Sequence, residues 1–295
     1  MRPVDRSLPA HVGQLLPWLL GLLALGCSGP EEVDTGLDRM EFAETEVLDD
    51  GVADSALEPI PRVRMPIRPK ARVGSPRLTI DSDVTLPVPR CANQAERTGP
   101  SRSVGQVTNG GLEGACRIAG AGPGYLAVNK NGFGTDETIA LLQWAAAQMH
   151  QQFPAGAPLV IGAVARPEGG HYPPHKSHQS GRDVDLGYPR TDGKGTRSFA
   201  LTDAGNIDTE RLWSLLEAWL AAGKLGFVFM DYELQAVLYQ DLHDVGYSEA
   251  QLRPIFQYPA GPAVPSGMIR HASGHADHFH VRFRCPDTDR PGCID

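Results

Sequence analysis

Apolar and polar positions change character twice along this chain of 295 residues. Residues 15–25 form an apolar run, preceded by Arg2 and Arg6 and followed by Gly26 and Cys27. The next stretch is acidic, then punctuated by Pro59, Pro61, Pro66, Pro69 and Pro76, and reads as solvated chain with little to bury. From about Leu86 onward the pattern becomes globular. Residues 108–111 and 120–124 are glycine-rich and predict turns, and 125–128 predicts a short strand. Ile139, Leu142, Ala146 and Met149 recur at helical spacing, with Thr135 placed to cap that helix and Pro154 to end it.

Residues 159–165 are a continuous apolar run rich in branched side chains, which predicts a buried strand. A loop over 166–180 follows, and then a short strand over 183–187. Asp208 is placed to cap a second helix whose Leu212, Leu215, Leu216, Trp219 and Leu220 share a face, with Gly223 as its stop. Residues 227–230 predict a strand and 234–243 a third helix. The last alternating stretch, over 275–282, is the most informative. If it is extended, His278 and His280 stand side by side while Phe279 and Val281 face a core. Strands and helices do not alternate regularly, so the pattern predicts an α+β fold rather than a doubly wound parallel sheet.

Charge sharpens the domain boundaries. Residues 28–60 hold eleven acidic side chains and one basic, and residues 61–80 hold six basic and none acidic. The remainder is mildly negative and implies no surface for nucleic acid. Three segments are expected: a leader over 1–27, a flexible tether over 28–85, and a single catalytic domain over 86–295. The tether reads as a spacer; a docking arm for anionic polymers through Arg62, Arg64, Arg68, Lys70 and Arg72 is the alternative. Residues 1–27 have the charged start, short apolar centre and small residue of an export signal. The sequence Leu23-Ala24-Leu25-Gly26-Cys27 resembles a bacterial lipobox, which would make Cys27 the lipidated N-terminus of a periplasmic protein. Ser28 favours the outer membrane.

An exported chain can form disulfides. Without Cys27, the cysteines are Cys91, Cys116, Cys285 and Cys293, enough for two bridges. Cys285 with Cys293 is the expected local pair, while Cys91 with Cys116 stays open. A structural zinc on these four is set aside, since no Cys-x-x-Cys pair occurs.

Seven of the ten histidines lie in two places: His171, His175 and His178, and then His271, His275, His278 and His280. A lone His-x-His is weak evidence for a metal; two clusters carry more. His178 and Asp185 are seven positions apart, so a continuous strand would separate them, but Gly181 offers a bend that lets both converge. One His, one carboxylate and a further His would leave a fourth position open, as catalytic zinc requires. Asp183 shares a face with Asp185 and is either the competing carboxylate or a support for a ligand's ring N–H.

Ser177-His178-Gln179-x-Gly181-x-Asp183-Val184-Asp185, followed by His275-x-x-His278-x-His280-Val281-Arg282 and Cys285-Pro286, resembles the penicillin-insensitive murein endopeptidases. That family lies within the zinc peptidases that include lysostaphin-type and D-Ala-D-Ala-cleaving enzymes. The resemblance spans roughly residues 100–293. It implies a mainly antiparallel central sheet flanked by helices, with Zn2+ on the sheet. It further implies His178, Asp185 and His280 as ligands, His278 as base or transition-state stabiliser, and His175 and His275 lining the site. The implied substrate is peptidoglycan, cut at the D-alanyl to meso-diaminopimelyl cross-link. A D-Ala carboxypeptidase, an L,D-endopeptidase and a non-catalytic wall-binding lipoprotein are the rival readings. The family's usual cysteine is absent at Gly111, with Cys116 a few residues later.

Overall fold

Asp183, Asp185 and Gly187 fall on one side of a five-residue strand, and Val184 and Leu186 on the other. All five residues are buried, so this strand lies inside a sheet covered on both faces. The computed structural model describes residues 84–295. The leader expected over 1–27, with Cys27, and all but the end of the expected tether lie outside the described residues.

A hairpin opens the domain, β1 (Arg102–Gln106) with β2 (Asn109–Glu113), followed by the short β3 (Cys116–Arg117), β4 (Ala121–Gly122), β5 (Tyr125–Ala127) and β6 (Phe133–Gly134). Then come α1 (Asp136–Gln152), β7 (Leu159–Ile161), β8 (Asp183–Gly187), α2 (Thr209–Ala221) and β9 (Leu225–Met230). The chain closes with α3 (Tyr232–Asp244), α4 (Glu249–Leu252), β10 (Ile269–His271) and β11 (His278–Phe283). Seven strands form one sheet in the order β10-β9-β11-β8-β7-β5-β4. Only β10 with β9 and β5 with β7 are parallel, so the sheet is mixed and mainly antiparallel, as expected for α+β. No helix among the described residues is long and apolar enough to cross a membrane.

The helices form where their signals stand. Thr135 Oγ1 accepts from the Thr138 N–H at 3.0 Å and starts α1. Asp208 does the same for α2 through the Arg211 N–H at 3.1 Å, and Asp231 for α3 through the Glu233 N–H at 2.8 Å. Ile139, Leu142, Ala146 and Met149 are buried as their spacing predicts, and so are Leu212, Leu215, Leu216 and Trp219; Leu220 is only half-buried. Trp219 ties three elements together: its indole N–H donates to the Leu141 carbonyl at 3.0 Å, and its ring meets Phe283 edge-on at 5.4 Å. Phe279, Val281 and Phe283 are fully buried on this face of β11. Each such side chain contributes roughly 1.5–3 kcal/mol, which anchors the strand carrying His278 and His280.

Local expectations failed in three places. The strand predicted over 159–165 ends at Ile161. Beyond it the backbone is shared out instead, Gly162 N–H to the Asp185 carbonyl, the Ala163 carbonyl to Asp185 N–H, and Val164 N–H to the Asn131 carbonyl. The turn predicted over 108–111 lies at 107–108, with Asn109, Gly110 and Gly111 inside β2. A side chain at Gly110 would run into the Val104 and Gln106 carbonyl oxygens, so glycine here serves a close strand approach. The helix α4 and the strand β10 were not foreseen. Both disulfides are formed: Cys285–Cys293, as expected, and Cys91–Cys116, which answers the open pairing.

The bend expected at Gly181 is present. Gly181 has φ +72°, and His178 itself lies at φ +64°. A methyl group at Gly181 would sit 2.8 Å from the Leu112 side chain and 3.1 Å from the Thr135 nitrogen. Gly181→Ala should therefore lower stability by about 1–3 kcal/mol, read as a reduced urea midpoint. An unchanged midpoint would contradict this account of the turn.

Candidate metal centre

Two strands and one loop bring the site together. In the β8–β11 ladder His280 lies opposite Asp185 and Arg282 opposite Asp183. The loop between β7 and β8 returns His178 to the same spot, its N–H donating to Asp183 Oδ2 at 3.1 Å. His178 Nδ1 stands 2.7 Å from the Val164 carbonyl oxygen. A carbonyl only accepts, so Nδ1 carries the proton and Nε2 presents its lone pair.

That lone pair faces Asp185 Oδ1, an acceptor, and His280 Nδ1, which is an acceptor too unless the ring is protonated. His178 Nε2 is 3.1 Å from His280 Nδ1 and 3.2 Å from Asp185 Oδ1, and His280 Nδ1 is 3.1 Å from Asp185 Oδ1. The far nitrogen of His280, Nε2, lies 3.4 Å from Asp183 Oδ1 and has no geometrically sound hydrogen bond among the described residues. Three buried atoms of this kind, mutually about 3 Å apart, repel unless a positive charge sits among them. Four tetrahedral ligands at about 2.0–2.1 Å from one ion are themselves about 3.3–3.4 Å apart. The donor set, two imidazole nitrogens and one carboxylate oxygen, is one that zinc accepts. The residues present therefore fit such an ion.

Electrostatics agree with the geometry. Burial pushes the His280 imidazolium down, but the carboxylates of Asp183 and Asp185 outweigh it and hold the pKa up, at about 9. Burial would raise Asp185, yet its close contacts with His178 and His280 hold it well below the ordinary carboxylate range. Asp183 is lowered too, against full burial, by His280 and Arg282. Its oxygens accept from Arg282 Nε at 2.8 Å and Nη2 at 3.3 Å. Asp183 is thus committed to Arg282, the loop backbone and the back of His280, while Asp185 faces the open side.

The remaining site histidines surround this triangle. His175 Nδ1 is 3.6 Å from Asp185 Oδ2, and its ring is 4.4 Å from that of His178. His278 stands beside His280 on β11, with Nδ1 2.7 Å from Asp277 Oδ1 and its ring stacked on Phe199 at 5.0 Å and 12°. The His275 ring lies 4.8 Å from His278 and 6.4 Å from His280. Burial lowers the basicity of His175 and of His275. His271, by contrast, accepts the Tyr232 N–H at the start of α3 and does not reach the triangle. Cys91, Cys116 and Asp136 also approach one another, but the two sulfurs are joined as a disulfide.

Asp277, Phe199 and the Val164 carbonyl were missed in the sequence. Asp277 could have been found by its adjacency to His278; the other two lie in loops without a pattern. Beside the triangle opens a cleft of about 320 Å³, lined by His175, Asp185, Val128, Phe199 and Arg197 among others.

Residues 103–214, which carry His175, His178, Asp183 and Asp185, match the family model described as penicillin-insensitive murein endopeptidase. Over that stretch the chain is similar to the penicillin-insensitive murein endopeptidases. A protein of that name from Klebsiella pneumoniae is 25% identical over 205 residues, covering 64% of this chain and 68% of the relative. The one from Haemophilus influenzae is 26% identical over 208 residues, covering 64% and 65%. This chain thus spans about two thirds of the length of these two murein endopeptidases.

The charge balance of the site sets how stability varies with pH. A His whose folded pKa is raised stabilises fully below its unfolded value, about 6.5, and loses that contribution as pH climbs through the folded value. For His280 the loss falls between pH ~6.5 and ~9. Asp183 and Asp185 are depressed, so their contribution is lost only as pH falls below the usual carboxylate range, about 4. Chelator-treated protein should show a urea midpoint that declines from pH 6.5 to 9. A flat or rising midpoint would contradict this charge arrangement.

Proposed function

We propose that this protein is a zinc-dependent peptidase of the bacterial cell wall that hydrolyses the D-alanyl to meso-diaminopimelyl cross-link of peptidoglycan. The observation that carries the reading is the triangle of His178 Nε2, Asp185 Oδ1 and His280 Nδ1, with edges of 3.1–3.2 Å. Those three atoms would hold the ion. An ion held there would supply a water of lowered pKa, toward about 7, and would polarise the scissile carbonyl.

The chain's own residues supply the rest. No His-Glu-x-x-His segment occurs, so the carboxylate base of that group of enzymes is missing. His278 takes its place. With Nδ1 given to Asp277 and the ring stacked on Phe199, Nε2 is free to exchange a proton with substrate or water. Asp277 fixes the tautomer, and Phe199 fixes the plane. His175 and His275, kept neutral at pH 7, can orient a substrate carbonyl or amide without adding charge. Asp183 holds the back of His280 and, through Arg282, ties both strands to the site.

The relatives' name, murein endopeptidase, supports peptidoglycan as the substrate and the wall as the place of work. Residues 86–295 are the catalytic domain in this reading. The lipidated Cys27 holds the protein at a periplasmic membrane face, the outer membrane being favoured, and residues 28–85 are its tether.

His278→Ala should keep the metal and lose roughly 10²–10⁴-fold in turnover, whereas His178→Ala should lose both. Metal analysis and mass spectrometry of digested sacculi read these outcomes. Wild type should convert cross-linked dimers to monomers without releasing free alanine. Equal metal loss in the two variants would make His278 a ligand, and released alanine would make the protein a carboxypeptidase.

A further inference from the structure

The cleft beside the triangle is lined by apolar and neutral groups apart from His175, Asp185 and one guanidinium, that of Arg197. Asp185 is engaged by His178 and His280. Arg197 is exposed and makes no hydrogen bond or ion pair among the described residues. Its nearest acidic neighbour in the sequence, Asp192, is already held by Arg190, whose Nε donates to Asp192 Oδ1 at 2.9 Å. The cleft thus joins an unpaired guanidinium at its rim to the buried Asp185, and that guanidinium offers an anion from outside a partner.

The loop that presents Arg197 is pinned on both sides. Before it, Arg190 Nη1 donates to the Leu201 carbonyl and to Thr202 Oγ1, the latter at 3.0 Å. After it, Phe199 stacks on His278, and the Thr202 N–H donates to the Ala276 carbonyl at 2.9 Å. The same loop therefore carries both the ring that orients His278 and the free guanidinium, two residues apart. A group bound by Arg197 is thereby indexed to the proton-transferring histidine.

We propose that Arg197 is a specificity residue that pairs with the carboxylate on the amine side of the scissile bond. This inference rests on the peptidase reading above. In the cross-link named there, the diaminopimelyl carbon bonded to the amide nitrogen carries its own carboxylate. A terminal D-Ala carries one at the equivalent position, so the shared chemistry is an α-carboxylate next to the amide nitrogen. Arginine suits that partner because its planar fork can donate two parallel N–H bonds to the two oxygens.

The test uses the full chain with zinc and two synthetic cross-linked stem-peptide dimers, identical except that this carboxylate is free in one and amidated in the other. Wild type should favour the free acid in kcat/KM by about tenfold, mainly through KM. Arg197→Gln should lose that preference by slowing on the free acid alone, and Arg197→Lys should keep part of it. Equilibrium binding of both dimers in a His278→Ala background gives a readout that does not depend on turnover. A preference that survives Arg197→Gln in binding and kinetics, or no preference in wild type, overturns the assignment. If wild type cleaves neither dimer yet binding shows the Arg197-dependent preference, the peptidase reading falls and Arg197 stands. A monomeric pentapeptide ending in D-Ala, run alongside, shows whether the contact serves cross-links or chain ends.

Discussion

In the ladder between β8 and β11, His280 faces Asp185 and Arg282 faces Asp183. Side chains alternate with period two, so slipping this register by one residue would send every one of these groups to the opposite face. Phe279, Val281 and Phe283 prevent the slip, because each would then leave a core in which it is fully buried. The packing of Trp219 on Phe283 therefore serves a chemical end. It fixes where a carboxylate and an imidazole meet, 3.1 Å apart.

The second requirement is charge. Asp183 and Asp185 are buried side by side on one face, which costs a great deal unless cations are close. Arg282 answers Asp183 directly. Among the described residues Asp185 is answered only by imidazoles, one of which has its proton committed to a backbone carbonyl. The pocket thus needs one more positive charge, supplied by a proton on His280 or by a metal ion in the middle of the triangle. In the proposed reading, metal binding and His280 deprotonation are one event. Asp277 and Phe199 lie outside that balance and govern His278 alone.

Much of this was legible in the sequence, because it follows from periods that side chains obey. The 2-residue alternation over 278–283 separated histidines from core residues, and the helix caps at Thr135 and Asp208 marked both helix starts. Asp183 and Asp185 could not be ranked, since both point the same way; the deciding partner, Arg282, comes from a strand about a hundred residues later. The β1–β2 hairpin was illegible for another reason. Its Asn109-Gly110-Gly111 segment has no apolar alternation, and glycine there answers a close backbone approach that only the fold reveals. The 159–165 run was read as one long strand because burial and strand geometry leave the same apolar signature. Phe199 and Arg197 lie in a loop without periodicity, and their meaning comes only from what they stand beside.

The central claim, one cation held jointly by two imidazoles and one carboxylate, is most directly tested by X-ray absorption on the full-length protein loaded with zinc. The expected result is one zinc per chain, with two imidazole nitrogens and the remaining ligands oxygen. Failure to retain zinc, or a first shell containing three imidazoles or any sulfur, would contradict it.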